Sequence, residues 1–171
     1  MENISMLYNR LRWAMLVIAL SATLTTPALA SEALTFTTIE GKQIRLSDLR
    51  GKIVLINFWA TSCGICLKER PDLIQTYQQY RKRGFEVIAV AMQYDKPDNI
   101  KAYVSKHDLP FHVVHDKDGS LAREFDRVGG TPTTFIIDGS GRRISKTVGI
   151  IDFGKLRAFL ESANGAGRFG K

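Results

Sequence analysis

Two cysteines, three histidines and five prolines are the whole supply of these residues in 171 positions. With two cysteines the fold rests on its hydrophobic core, which a chain of this length can build by burying about two-thirds of its unfolded surface. His107, His112 and His115 are the only histidines, and their spacing completes no four-ligand metal pattern beside the cysteines. Long apolar runs are missing as well. The most hydrophobic stretch, Ala14 to Leu20, is soon broken by Ser21, Thr23, Thr25, Thr26 and Pro27, short of the ~20 residues that a bilayer span needs. The basic excess, a net charge of +7, is spread as singles and pairs. Its densest points, Arg81-Lys82-Arg83 and Arg142-Arg143, are not interleaved with aromatics, so they read as solvated faces and not as a nucleic-acid surface. No internal repeat is visible.

The N-terminus has the layout of an export signal. Arg10 and Arg12 precede the apolar stretch, and Ala28-Leu29-Ala30 forms an A-x-A cleavage site. No adjacent arginine pair is present there, which favours Sec-type export. Cleavage after Ala30 leaves 141 residues and, with two Arg and one Glu removed, a charge of +6. Retention as a single membrane anchor is the alternative, and membrane contact is expected only in that case. The expected organisation is a leader over 1–30, one domain over 31–163, and a Gly-rich flexible tail over 164–171.

Within the domain the coarse order is β-β-β-α-β-α-β-α-β-β-α. Leu34 to Ile39 and Gln43 to Leu46 flank Glu40-Gly41-Lys42 as a hairpin, and Ser47 has the chemistry of a cap for a short turn. Lys52 to Trp59 and Phe85 to Met92 read as buried strands. Helices are expected over Leu67 to Arg83, Asp98 to His107, Ser120 to Arg127 and Asp152 to Ser162. Phe111 to Val114 is a short strand, and Thr133 to Asp138 with Arg143 to Val148 forms a hairpin around Gly139-Ser140-Gly141. Strands alternating with helices and closed by a hairpin imply an α/β fold with a mixed central sheet flanked by helices.

What the chain does have is Cys63-Gly64-Ile65-Cys66, placed where a strand gives way to a helix. Two thiols at this spacing can close a tight disulfide and reopen it. The unpaired N–H groups and the positive end of the helix dipole favour a thiolate at Cys63, and the thiolate is the attacking species in disulfide exchange. Cys66, one turn further in, is then placed to resolve the mixed disulfide. Three plainer readings stand beside this one. A structural disulfide closing so short a loop adds little stability, a metal site needs ligands beyond two cysteines, and a peroxidatic cysteine needs no neighbour at this spacing. Glu69 is either an ordinary acid near a helix start or the carboxyl group that takes the proton from Cys66. Pro71 lies inside the helix, where it removes a backbone hydrogen bond and forces a kink. Thr131-Pro132, ahead of a β-branched run, is the best candidate for a cis peptide bond.

Taken together these features resemble the thioredoxin fold and, within it, the exported TlpA/ResA-like family of thiol–disulfide oxidoreductases. The resemblance runs from about Leu34 to Ser162. It rests on Asn57 to Cys66, on Glu69 and Pro71 behind the cysteines, on Gly130 to Phe135, and on Asp116 to Ala122. It implies that Cys63 attacks, Cys66 resolves and a buried Glu69 tunes both through a redox-active Cys63–Cys66 disulfide. It also implies that Pro132 is cis against the disulfide, with the backbone of Thr131 pairing with an extended substrate, and that Trp59, Gly64 and Ile65 help to shape the site. Residues from about Asp95 to Phe111 resemble the family's helix–strand insertion. The implied partners are protein thiol or disulfide substrates and a membrane-bound electron donor. The implied compartment is the periplasm, cytochrome c maturation is one implied setting, and no cofactor is implied. An oxidant or isomerase on the same fold, or a Cys/His metal-binding chaperone, are the alternative functions. The chain departs from the family at Ile65, where proline is common, and at Ser62, where an aromatic is common. Ile65 restores a backbone N–H and frees φ beside the thiols. Asn57 stands where plain thioredoxins keep a buried acid.

Overall fold

The computed structural model describes residues 34–165. The expected leader over 1–30 and residues 166–171 of the expected tail lie outside the described residues. Asn164 and Gly165, also assigned to that tail, close the last helix.

Among the described residues, seven strands and four α-helices follow in the anticipated order. Strands β1 (Thr35–Thr37) and β2 (Gln43–Arg45) form an antiparallel hairpin. A central sheet then contains β3 (Ile53–Trp59), β4 (Phe85–Ala91), β5 (His112–His115), β6 (Thr133–Ile137) and β7 (Arg143–Val148), in the order β5-β4-β3-β6-β7. The β5-β4-β3 side is parallel, and β6 and β7 run antiparallel to their neighbours. The helices are α1 (Gly64–Tyr80), α2 (Pro97–His107), α3 (Ser120–Glu124) and α4 (Phe153–Gly165).

Alternation along β3 divides the core into two layers. Ile53, Leu55 and Trp59 face a cluster with Cys66, Leu73, Tyr77 and Tyr80 of α1, Ile100 of α2, and Phe153, Leu156 and Leu160 of α4. Val54, Ile56 and Phe58 face the other way, onto Leu121 and Ala122 of α3, Phe36 and Ile44 of the hairpin, and Phe125. Every residue of β3 and β4 is buried, as expected for central strands covered on both faces. Burying each large apolar side chain contributes about 1.5–3 kcal/mol.

Element ends shift by a few residues from the sequence reading at several places, and three of the differences have a local physical cause. Helix α1 begins at Gly64 instead of Leu67, because Cys63 caps it: its Sγ accepts the N–H of Cys66 at 3.2 Å. Ser47 does not cap the 3-10 turn Leu46–Leu49. It lies inside the turn, whose preceding residue Arg45 makes no side-chain cap bond. Helix α3 stops at Glu124, not Arg127, because the chain drops Phe125 into the core and Asp126 and Arg127 take positive φ values of 57° and 51°. Pro71 lies inside α1, which continues through it to Tyr80.

Candidate active site

The site forms at one end of the sheet, where β3 ends and β6 begins. Phe58 pairs with Thr133, so Thr131-Pro132 and the turn leading from Trp59 to Cys63 leave neighbouring strands at the same edge. The Cys63 N–H closes that turn onto the carbonyl of Ala60 at 3.1 Å. Cys63 and Cys66 are joined as a disulfide with their Cα atoms 5.3 Å apart. Cys63 is half-buried while Cys66 is enclosed at 0% exposure. Only Cys63 can meet a large partner, and the Cys66 N–H aimed at its sulfur is a donor ready to stabilise a thiolate there.

Behind the disulfide is a polar group inside an otherwise apolar layer. Asn57 of β3 donates from Nδ2 to Oγ1 of its cross-strand neighbour Thr134 at 3.1 Å, and to Oε1 of Glu69 at 3.5 Å. The other Glu69 oxygen accepts the N–H of Ile151 at 3.1 Å. Glu69 is buried, one helical turn beyond Cys66 on the same helix. Burial pushes its carboxyl above the ordinary value, while the Ile151 N–H, the charge of Arg70 and the Asn57 amide pull the other way. An acid so held keeps its proton to higher pH than an exposed carboxylate does.

The Thr131–Pro132 peptide bond is cis. The Pro132 carbonyl accepts the N–H of Gly149 at 2.8 Å, whereas Thr131 makes no backbone–backbone hydrogen bond among the described residues. Gly64 and Ile65 are exposed at the head of α1. Trp59 is fully enclosed, its ring 4.5 Å beneath the guanidinium carbon of Arg70 and 5.2 Å from the Tyr103 ring, so it supports the site from below. Among the described residues no three His, Cys, Asp or Glu side chains are grouped as metal ligands.

Several neighbours escaped the sequence reading. Asp95 accepts the N–H and the hydroxyl of Thr61, each at 2.6 Å, and clamps the turn before Cys63. The Tyr94 hydroxyl lies 3.4 Å from Thr131 Oγ1. Tyr94, Ile65, Val148 and Ile150 are large apolar side chains left exposed, and the last two flank Gly149, which is bonded to Pro132. Exposed apolar residues at turns carry little pattern in sequence, and only Ile65 was legible, through the cysteine motif.

A half-exposed cysteine capping a helix, bonded to a buried partner and set at the edge of a five-stranded mixed sheet, defines the class: a thioredoxin-fold protein thiol–disulfide oxidoreductase. A model of the AhpC/TSA family matches residues 27–142, and the chain belongs to that family. It is 37% identical over 125 residues to the thiol-disulfide oxidoreductase ResA of Bacillus cereus, covering 73% of this chain and 71% of the relative. With ResA of Oceanobacillus iheyensis it shares 32% over 122 residues, 71% of this chain and 62% of that one. Among solved structures, a thioredoxin from Neisseria meningitidis superposes with a TM-score of 0.69 at 35% identity, over 77% of this chain and 87% of its own. A thiol:disulfide interchange protein of Chlorobium tepidum gives 0.70 at 28% identity, over 78% and 94%. These likenesses bear out the resemblance to TlpA/ResA-like oxidoreductases drawn from the sequence.

Proposed function

We propose that this protein is an exported reductase of disulfides in periplasmic proteins, cycling between a Cys63/Cys66 dithiol and the disulfide. The observation that carries the reading is the buried Glu69 carboxyl, one helical turn from the enclosed Cys66 on the same helix. In the reducing direction the Cys63 thiolate attacks one sulfur of a client disulfide. The client's other sulfur leaves as a thiolate and takes a proton. Glu69, ionised at that point, accepts the Cys66 proton, and Cys66 sulfur attacks Cys63. The Cys63–Cys66 bond forms and the mixed disulfide breaks; the client's second sulfur leaves as a thiolate and takes the proton held by Glu69, so the client departs as a dithiol carrying two electrons. A membrane-bound dithiol donor returns those electrons.

The unpaired backbone of Thr131 is suited to an extended client strand. The exposed Ile65, Tyr94, Val148 and Ile150 offer apolar contact around it, and Gly64 at the open head of α1 allows close approach. Trp59 fixes the floor. Apocytochrome Cys-x-x-Cys-His pairs, which must be kept reduced, are one client class that suits a reductant. The export signal over 1–30 supports the periplasm, with or without retention of that segment as an anchor. No helix among the described residues is long and apolar enough to cross a membrane.

Equilibration with glutathione tests the direction. A potential near about −270 mV is expected of a reductant, and one near about −120 mV would make the protein an oxidant.

A further inference from the structure

Arg70 is 2% exposed, and its Nε, Nη1 and Nη2 atoms have no hydrogen-bond partner among the described residues. The guanidinium is held by ring faces instead, 4.5 Å above Trp59 and 5.8 Å from Phe111. Ring faces, the nearby Tyr103 hydroxyl and the charge of Glu69 act on the cation, but none of its N–H groups has a well-formed hydrogen bond among the described residues. The adjacent Glu69 acts on it through charge but makes no hydrogen bond to it, its oxygens accepting from Asn57 and Ile151. A buried cation with idle donors is costly to keep, and a fork of this shape matches a carboxylate.

Arg70 lines a groove of about 360 Å³ between α1 and α2, within the size range of ligand sites. Leu67, Pro71 and Ile74 with Gln75 and Gln78 form one wall, Tyr103 and His107 the other, and no acidic residue lines it. The groove starts within one turn of the reactive sulfur, because the Leu67 N–H bonds to the Cys63 carbonyl at 3.1 Å. Tyr103 and the exposed His107 are stacked 4.2 Å apart.

We propose that this groove is a subsite for a carboxylate carried on an apolar peptide segment, so that clients with an acidic residue near the reacting cysteine are preferred. The inference rests on protein clients meeting Cys63. A largely apolar groove around N–H groups without hydrogen bonds suits a glutamate flanked by aliphatic residues better than a strongly hydrated phosphate.

The test uses the oxidised full chain carrying Trp13→Phe, so that Trp59 is the one remaining indole and lies against Arg70. The probe is the cysteine-free peptide acetyl-Ala-Val-Glu-Leu-Ala-amide, with its Gln counterpart and butyrate as comparison arms. A saturable change in Trp59 emission is expected with the Glu peptide, at least tenfold tighter than with the Gln peptide. Arg70→Met should weaken it at least tenfold and Arg70→Lys less. Ile74→Glu, at a half-buried wall position, should abolish it by placing a tethered carboxylate in the groove, in a protein whose far-ultraviolet circular dichroism is unchanged. Equal binding of the two peptides, no Glu-peptide binding at millimolar concentration, or indifference to Ile74→Glu overturns the proposal. Butyrate saturating the site while the peptide does not would overturn the client assignment. Exchange with glutathione disulfide, read on the same samples, reports the Cys63–Cys66 cycle alone, so loss of that cycle and loss of the subsite are separate results.

Discussion

The carboxylate of Glu69 accepts the backbone N–H of Ile151 at 3.1 Å, across 82 positions of sequence. The acid behind the disulfide is thereby tied to the segment that joins β7 to α4. Its proton and the docking of that segment are one linked system.

Glu69 is an acid whose folded pKa is raised above the ordinary 4.5, burial being the largest cause. Such a group binds its proton more tightly folded than unfolded. Its stabilising contribution is fully present below the unfolded value and is lost as pH rises through the folded one. Glu69→Gln is neutral at every pH and lacks this dependence. Relative to wild type, the variant should therefore gain stability as pH rises above about 4.5, while the thiol titration shifts and mixed disulfides resolve more slowly. Urea midpoints across a pH series check the first effect and stopped-flow exchange the second. Parallel stability profiles with unchanged exchange would return Glu69 to an ordinary helix acid.

The unequal exposure of the two sulfurs predicts unequal variants. Cys63→Ser should lower disulfide exchange by at least about a thousandfold, the scale of losing a covalent nucleophile. Cys66→Ser leaves the exposed thiol in place, so it should accumulate a mixed disulfide with client protein, visible as a thiol-labile adduct by mass. Activity surviving in Cys63→Ser would remove it as the nucleophile.

Phe125 carries the second core layer. It is 1% exposed, with its ring 5.1 Å from Phe135, 5.5 Å from Phe58 and 6.4 Å from Phe36, and the Arg143 guanidinium 4.9 Å over it. One side chain thus joins the hairpin, α3 and two central strands. Phe125→Ala should cost about 3–5 kcal/mol, measured by urea unfolding. A loss under about 1 kcal/mol would mean that the layer closes over the gap.

The order of elements was legible because β3 and β4 are apolar but for Asn57 and Glu86, and the helical segments keep a 3.6-residue period. What escaped was decided by side chains acting against their usual roles. A cysteine sulfur, not Ser, Thr, Asp or Asn, caps α1, so the helix starts three residues earlier than its composition suggests. Asp126 and Arg127 accept left-handed backbone so that Phe125 can be buried, a tertiary demand with no local sign in two non-glycine residues. Arginine reads as solvated, and Arg83, Arg142 and Arg143 do sit at the surface, in ion pairs with Glu161, Asp138 and Asp126. Arg70 does not. Its position four residues after Cys66 and three before Leu73, on the buried stripe of α1, was the available signal. At the site, Cys63, Cys66 and Glu69 were readable from spacing in one segment. Asp95 and Tyr94 were not, because they reach the cysteine turn only through the pairing of β4 with β3.

Asp95 yields the last prediction. It is 7% exposed and accepts the N–H and the hydroxyl of Thr61 at 2.6 Å each, together with the N–H of Lys96 at 3.0 Å. Asp95→Ala leaves two backbone donors unpaired, and a hydrogen bond to a charged group is worth about 1.5–3 kcal/mol. Thr61→Val removes the hydroxyl alone and should cost less. Because the two residues share one contact, their double variant should fall short of additivity by a coupling energy of about 1–3 kcal/mol. If the clamp also sets where Cys63 stands, Asp95→Ala should slow exchange with a small disulfide more than Thr61→Val does, in a protein whose far-ultraviolet circular dichroism is unchanged. Additive stabilities with equal exchange rates would show that the turn holds the cysteine without Asp95.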